Sequence, residues 1–260
     1  MLKNIFRFFV KENHPKEEKI IQTEPIEASI YISDIINTIS NNSLFNIFIF
    51  NNTDTKKNTL ELSYDFQIKD QFSINIRSGI LEITQRDNLS IQQNYNAPIC
   101  NIYIDFNHLI KVLNKSVGDI FINNDLHSDN NITLKVSSVG HISATSVSAD
   151  KVIQLESSSV GGITLDTLNA HLLNAKTTSI GSINVNSGNC SRCNLEVKST
   201  GSINAKNLIS QDAFILITSI GDISIFANNL IEGKITSLGR LHVNGDPKIL
   251  VKTSNGGKVR

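Results

Sequence analysis

Two cysteines three residues apart, Cys190 and Cys193, form the motif in this sequence that most readily suggests redox or metal chemistry. A CxxC pair can act as a redox couple or supply half of a structural zinc site. Such a zinc site needs four ligands, however, and no second CxxC or closely spaced histidine pair accompanies this one. We therefore interpret Cys190 and Cys193 as incidental thiols, and we predict no metal site and no cofactor.

The histidines and acidic residues do not form a catalytic pattern either. No two of the six histidines have the spacing of a ligand pair; they are His14, His108, His127, His141, His171 and His242. Glycoside hydrolysis would need two neighbouring carboxylates. Asp119 and Asp222, which follow equivalent glycines of a repeat described below, lie five repeats apart, or on the order of 20 Å at about 4.8 Å per coil. We predict that the protein is not an enzyme, with a carbohydrate-active enzyme as the second alternative.

Composition narrows the remaining classes of function. The chain carries 24 basic and 24 acidic residues and therefore has no net charge at pH 7. A balanced charge gives no electrostatic reason to expect nucleic acid as a partner. No apolar run approaches the roughly 20 residues of a transmembrane helix. The three cysteines fit a reducing compartment, and the N-terminus shows no signal-peptide cleavage site, so we predict a cytoplasmic protein.

A repeat of about 20 residues dominates the chain from residue 116 onward. Seven Ser-x-Gly motifs place glycines at successive spacings of 22, 21, 20, 20, 20 and 18 residues. Apolar residues follow each glycine at the second and fourth positions, an alternation typical of a strand with one buried face. We interpret these motifs as the corners of successive coils: Ser116, Gly118, Ser138, Gly140, Ser159, Gly161, Ser179, Gly181, Ser199, Gly201, Ser219, Gly221, Ser237 and Gly239.

The period predicts the architecture. About 20 residues at roughly 3.3 Å each make one turn around a narrow three-sided prism, and equivalent residues then stack into ladders. The glycine permits a backbone bend or a positive φ, and the serine can hydrogen-bond locally or along its ladder. A helical solenoid would need longer repeats and a 3.6-residue period. We predict an all-β fold, a right-handed parallel β-helix (solenoid) over residues 26–260, with an irregular first part at 26–115 and regular coils at 116–260.

Both ends of the chain suggest contacts. Residues 1–25 are predicted to form a short amphipathic helix and a charged linker. The apolar face of the helix either contacts a membrane surface or caps the first coil; its residues are Leu2, Ile5, Phe6, Phe8, Phe9 and Val10. At the other end the last coil shows no amphipathic cap, and an open coil leaves unpaired backbone groups. This motivates a hypothesis of end-to-end self-association.

The repeats resemble a known family. The S-[VI]-G-x-I motifs, preceded by ICNIYIDFNHLIKVLNKSVGDIFINN at residues 99–124, are similar to the putative adhesin or auto-transporter adhesin head (GIN) domain family. The family's proline-containing step is replaced here by residues 105–109, which contain no proline. The resemblance covers about residues 26–260. It implies a right-handed β-helix and, by the analogy in the family's name, an adhesin-like binding role.

A looser resemblance concerns bactofilins, which are cytoskeletal β-helices that often begin with a membrane-targeting peptide similar to MLKNIFRFFVK. It implies the alternative of a membrane-associated scaffold on the inner face of the membrane. We predict a non-catalytic structural or interaction solenoid. The sequence does not specify whether its ligand is a protein or a carbohydrate, because ladders of small polar residues suit many binding roles.

Overall fold

The computed structural model describes residues 25–52, 58–65, 68–86 and 97–260. The predicted N-terminal helix and nearly all of its linker lie outside the described residues. The described chain is almost entirely β and forms a solenoid of about seven turns. It includes the 3₁₀ turn Phe106–His108, where the Asp105 carboxylate accepts a hydrogen bond from the Asn107 backbone at 2.9 Å.

The regular coils are built from parallel strands. Each strand pairs with its equivalent in the next coil, so that Ile163 is aligned with Ile142 on one side and Ile183 on the other. The strands are β8 Lys111–Asn114, β9 Ile120–Ile122, β10 Leu126–Ser128, β11 Asn131–Val136, β12 Ile142–Ser157, β13 Ile163–Thr177, β14 Ser182–Val185, β15 Gly188–Val197, β16 Ser202–Ile217, β17 Asp222–Ile235, β18 Arg240–Asn244, β19 Lys248–Thr253 and β20 Lys258–Val259.

The strand pairings divide the solenoid into three faces. Face A contains β8, β11, the C-terminal parts of β12, β13, β15, β16 and β17, and then β19. Face B contains β9, the N-terminal parts of β12 and β13, β14, the N-terminal parts of β16 and β17, then β18 and β20. Face C, which contains β10, the middle parts of β12, β13, β16 and β17 and the N-terminal part of β15, joins B to A. Alternate residues point inward and form a fully buried core of Ile, Leu and Val, because side chains along a strand alternate between its two sides.

The first part of the chain does not follow the repeat. Its strands are β1 Ile26–Tyr31, β2 Thr38–Asn42, β3 Asn46–Asn51, β4 Thr59–Tyr64, β5 Phe72–Arg77, β6 Ile80–Gln85 and β7 Ile99–Ile104. In space β2 lies between β6 and β8, and β3 lies between β7 and β9. The order of stacking therefore differs from the order along the chain.

Antiparallel strands cover the N-terminal end of the core. On face B, β4 pairs antiparallel with β7 and β1 with β4, while on face A β5 pairs antiparallel with β6. Phe45, Tyr64 and Phe72 fill the interior here, with ring centroids 4.8 to 6.4 Å apart. Edge-to-face aromatic packing of this kind stabilises a core beyond the burial of area alone.

At the opposite end, the inward side chains are less covered. Ile249 is aligned with the fully buried Ile231 of the preceding coil, yet it is 43% exposed because no further strand lies over it among the described residues. Val251 and Val259 are also only partly buried. The hypothesis of end-to-end self-association through this coil stays a prediction.

Candidate binding surface

The Ser-x-Gly motifs lie at the corner between face A and face B. From Gly140 to Gly221, each corner glycine donates its backbone N–H to the carbonyl of the corner serine one coil earlier, as Gly161 does to Ser138. Five consecutive corners, ending at Gly221, share this bond at 2.8 to 3.0 Å. The serine thus takes part through its backbone carbonyl, which any residue could supply.

The corner glycines do not adopt a positive φ, which was one of the two conformations predicted for them; none of the seven is among the positive-φ residues. Their lack of a side chain has a different reason. A Cβ placed on Gly161 would overlap the Gly140 carbonyl oxygen and lie 2.7 Å from that of Val139. Successive corners therefore approach each other so closely that only glycine fits between them.

Polar side chains inside the corner satisfy its backbone carbonyls in the first coils. Asn114 donates to the carbonyls of Gly118 at 2.7 Å and His141 at 3.0 Å. Ser157 donates to the carbonyl of Gly161 at 2.6 Å. These buried bonds matter because an unpaired buried carbonyl is costly.

The two CxxC cysteines meet inside another corner, between face C and face A. Both are buried and unoxidised, as is Cys100. A hydrogen bond between the two thiols lowers the pKa of Cys190 and raises that of Cys193. No group of three His, Cys, Asp or Glu side chains among the described residues is arranged to hold a metal ion.

The two repeat-equivalent aspartates have separate basic neighbours. Asp119 lies 3.5 Å from His141, and Asp222 lies 3.8 Å from Arg240. His127 contacts Ser148 at 2.9 Å and Asp129 at 3.2 Å on the surface. The structure thus does not bring these aspartates or histidines together into one site.

Face A carries a shallow groove of about 420 Å³. Its floor is the backbone around Leu155, Ala175 and Leu195, whose side chains point into the core. Two ladders of outward side chains border the floor, and we call the whole arrangement the face A groove. Its walls are Gln154, Asn174, Asn194 and Phe214 on one side, and Glu156, Lys176, Glu196 and Leu216 on the other.

The first wall combines amides with an aromatic ring. The Asn194 side-chain amide donates to the Asn174 side-chain oxygen at 2.9 Å, one coil away. Phe214 continues the same ladder and is 41% exposed. An amide has two donors and an acceptor with two lone pairs, so stacked amides keep spare hydrogen-bonding capacity for a ligand. A half-exposed ring beside them offers an apolar platform.

The second wall is a ladder of alternating charge. Lys135 pairs with Glu156 and Lys176 with Glu196, both at 3.1 Å, and Lys198 approaches Glu196 at 3.2 Å. Partial burial opposes the ionisation of Glu196, but the hydrogen bonds from Lys176 and Lys198 outweigh it and lower its pKa. The bond with Glu196 correspondingly raises the pKa of Lys176. The wall is therefore charged locally but nearly neutral in sum.

We expect Glu196→Gln to lower the free energy of unfolding at pH 7 by about 0.5 kcal/mol, since partly exposed ion pairs contribute little. A carboxyl whose pKa is lowered by folding contributes stability above its unfolded pKa of about 4.3, and loses it as the pH falls through the folded value. Urea unfolding from pH 7 towards about pH 3 should show the two proteins converging. A constant difference at every pH would contradict an electrostatic origin.

Face B presents a second apolar surface near the N-terminal end. Phe48 stacks on Phe121 with centroids 4.8 Å apart, and Phe50 stacks on Tyr103 at 5.0 Å. Burial and the nearby Glu61 raise the pKa of Tyr103. These four rings are half-buried, and Asn101 is aligned with Phe48 beside them.

Sequence reasoning missed the face A groove although a signal for it was present. Residues 154, 174, 194 and 214 are spaced by one repeat, so the 20-residue period places them on one ladder. The outward polar ladders were predicted only as a general interaction surface, and no one ladder was singled out. The predicted membrane-contact residues of the N-terminus lie outside the described residues.

The fold defines a class: a β-solenoid that exposes ladders of polar side chains. The chain belongs to the family described as putative auto-transporter adhesin, head GIN domain, whose model matches residues 38–247. This membership confirms the resemblance drawn from the repeats. It does not support the predicted cytoplasmic location. The part of the chain that the structure describes contains no helix long and apolar enough to span a bilayer.

Solved structures share the fold. A putative lipid binding protein from Parabacteroides distasonis has a TM-score of 0.81 and 19% identity, over 92% of this chain and 96% of its own. A putative adhesin from Parabacteroides merdae has a TM-score of 0.81 and 16% identity, over the same shares. One from Bacteroides fragilis has a TM-score of 0.64 and 18% identity, over 92% and 97%. No curated protein matches the chain.

Proposed function

We propose that the protein is an adhesin-like binding module that holds an extended, largely uncharged carbohydrate chain in the face A groove. The observation that carries this proposal is the ladder of Gln154, Asn174 and Asn194 leading to the half-exposed ring of Phe214. Sugars present hydroxyl groups that both donate and accept, together with an apolar C–H face. Side-chain amides can hydrogen-bond to the hydroxyl groups, and an aromatic ring can pack against the apolar face.

The shape and charge of the groove support the same ligand class. Enclosed pockets suit small molecules that are buried almost completely, whereas an open groove along stacked strands lets a chain extend beyond it. Each carboxylate of the wall is paired with a lysine. The groove therefore offers little net attraction to a strongly charged polymer.

The same residues argue for binding without catalysis. Glu156 and Glu196 are two coils apart, or roughly 10 Å at about 4.8 Å per coil, close to or beyond the separation of about 5 to 9.5 Å that glycosidases use. A general acid also needs a raised pKa, and the pKa of Glu196 is lowered. The enzyme alternative therefore finds no support in the groove.

The neighbour described as a putative lipid binding protein suggests lipid as the other ligand class. At 19% sequence identity, however, the similarity between the two proteins concerns the fold alone. An acyl chain has no hydrogen-bonding groups, so it would leave the amides and charges of the groove without partners in a dry contact, at a cost in free energy. The polar walls therefore favour a carbohydrate.

An array of neutral glycans probed with the full-length protein tests the proposal. We expect binding to extended glycans, and we expect Phe214→Ser to weaken it at least about tenfold, because a loss of about 1.4 kcal/mol corresponds to that factor. Phe121→Ser is the matched control, since it removes a half-buried ring from face B. Circular dichroism checks that both variants fold. Absence of glycan binding, or loss of binding in Phe121→Ser instead, would overturn the proposal.

A further inference from the structure

An unbroken line of exposed side chains runs along the corner between faces A and B. It consists of the middle residues of the Ser-x-Gly motifs, which we call the corner ridge: Val117, Val139, Val160, Ile180, Thr200, Ile220 and Leu238. Its six aliphatic members are 49 to 64% exposed. Single exposed apolar residues are ordinary, but a contiguous apolar strip of roughly a few hundred Å² on a monomer marks an interaction site.

The corner ridge is held rigidly. From Val139 to Ile220, each of its residues is flanked by a glycine packed against the preceding corner and hydrogen-bonded to it, as Gly181 is to Ser159 at 2.8 Å. The ridge residues therefore project at the fixed spacing of the coils, about 4.8 Å. A partner loses little conformational entropy in ordering such a surface, because the surface is already ordered.

We propose that the corner ridge is the interface of a homodimer in which two solenoids pack side by side and antiparallel, related by a two-fold axis. A rigid ladder is matched along its whole length by a second ladder of the same spacing, and another copy of this chain supplies one. In a two-fold interface the same patch serves both copies. Ile180 then contacts Ile180 of the second copy, and Val117 contacts Leu238.

The side chains beside the ridge are complementary in the antiparallel arrangement. The residues that follow the corner glycines on the face B side are Asp119, His141, Gly162, Ser182, Ser202, Asp222 and Arg240. Centring the axis on Ile180 reverses the order of this row in the second copy. Asp119 of each copy then meets Arg240 of the other, and His141 meets Asp222. These four side chains are 39 to 58% exposed and thus accessible.

The other flank of the ridge creates no conflict. On the face A side, the residue two positions before each ridge residue lies next to the ridge. These residues are Lys115, Ser137, Ser158, Thr178, Lys198, Thr218 and Thr236. In the antiparallel arrangement Lys115 meets Thr236 and Lys198 meets Ser158, so no like charges face each other. Opposite charges across an interface fix its register more than its affinity.

The size of the ridge predicts a weak dimer. Stable interfaces bury about 800 Å² per partner, and smaller ones belong to transient complexes. We expect a dissociation constant in the micromolar range. The same symmetry turns both face A surfaces towards one side of the dimer, although the dimer itself does not depend on the proposed carbohydrate binding.

Charge reversal with full-length protein tests the arrangement. Sedimentation velocity across a concentration series should show a dimer for the wild type and monomers for Arg240→Glu and for Asp119→Lys. Each single variant places like charges at both copies of the contact. An equimolar mixture of the two variants restores opposite charges at both contacts and should dimerise again.

A second variant keeps the test decisive if Asp119→Lys disturbs the corner, where its carboxylate accepts the His141 N–H at 2.7 Å. Ile180→Asp brings two like charges together at the axis and should weaken dimerisation at least tenfold. A wild type that stays monomeric at high concentration would overturn the proposal. So would a dimer that all three substitutions leave intact, or a monomer that binds phosphatidylcholine vesicles through the ridge.

Discussion

Replacing Gly161 by alanine is expected to lower the free energy of unfolding by about 1 to 3 kcal/mol, the range typical of overpacking in a rigid interior. The added methyl group would overlap the Gly140 carbonyl oxygen, and the carbonyl oxygens of Val139 and Ser138 lie at 2.7 and 2.8 Å. All three are backbone atoms. A flexible side chain could turn away, but here the coils themselves must separate.

The matched control for this substitution is Ser159→Ala in the same corner. Ser159 contributes its backbone carbonyl to the hydrogen bond from Gly181, and alanine supplies the same carbonyl. We expect a change within about 0.5 kcal/mol, as for ordinary surface substitutions. Urea unfolding followed by circular dichroism measures both. Equal effects of the two variants would contradict the account of why these corners carry glycine.

Truncation of Ile203 to alanine is expected to cost about 2 to 5 kcal/mol, because it removes buried methyl groups and leaves a cavity in a packed core. Ile203 lies in β16, is 1% exposed, and is aligned with Ile183 and Ile223 in the adjacent coils. Its loss therefore weakens the contacts on both sides. In a solenoid each coil is stabilised mainly by its neighbours.

Ile209 provides the control within the same strand. It is 43% exposed on face C, so its truncation should change the free energy of unfolding by less than about 1 kcal/mol. Hydrogen exchange adds a local measurement, since the coils around Ile203→Ala should lose protection before the N-terminal ones. Similar destabilisation by Ile203→Ala and Ile209→Ala would contradict the assignment of inward and outward positions.

The regular coils could be predicted from the sequence because two independent patterns specify their register. The 20-residue spacing of the Ser-x-Gly motifs sets which residues stack, and the apolar residues that follow each glycine set which side faces inward. A slip of one residue would turn the whole apolar set outward. Ile142, Ile163 and Ile183 are consequently aligned as the repeat requires.

The first part of the chain could not be predicted in the same way. Strands β1 and β3 to β7 show apolar alternation, which identifies a strand but not its partner or its direction. Strand β2 has a single apolar residue, Ile39, and lacks even this signal. No residue motif recurs among them to fix a register. The placement of β2 between β6 and β8 depends on tertiary contacts between segments 40 or more residues apart. The aromatic packing around Phe45 likewise forms only in the folded protein.

The candidate site could likewise be predicted from the sequence only in part. The positions of Asn174 and Asn194 on one ladder follow from the repeat. That a groove exists between their ladder and the charged one depends on side-chain conformations, such as the hydrogen bond between the two asparagines and the ion pair between Lys176 and Glu196. These conformations arise only after the coils have stacked.

The most direct test of the carbohydrate-binding account is a two-dimensional NMR titration of the full-length protein with the neutral glycan that binds best on the array. The account predicts chemical-shift changes concentrated at Asn174, Asn194 and Phe214, with the rings of Phe48 and Phe121 on face B unaffected. Changes confined to face B, or none at a glycan concentration that saturates the array, would show that the face A groove is not the binding site.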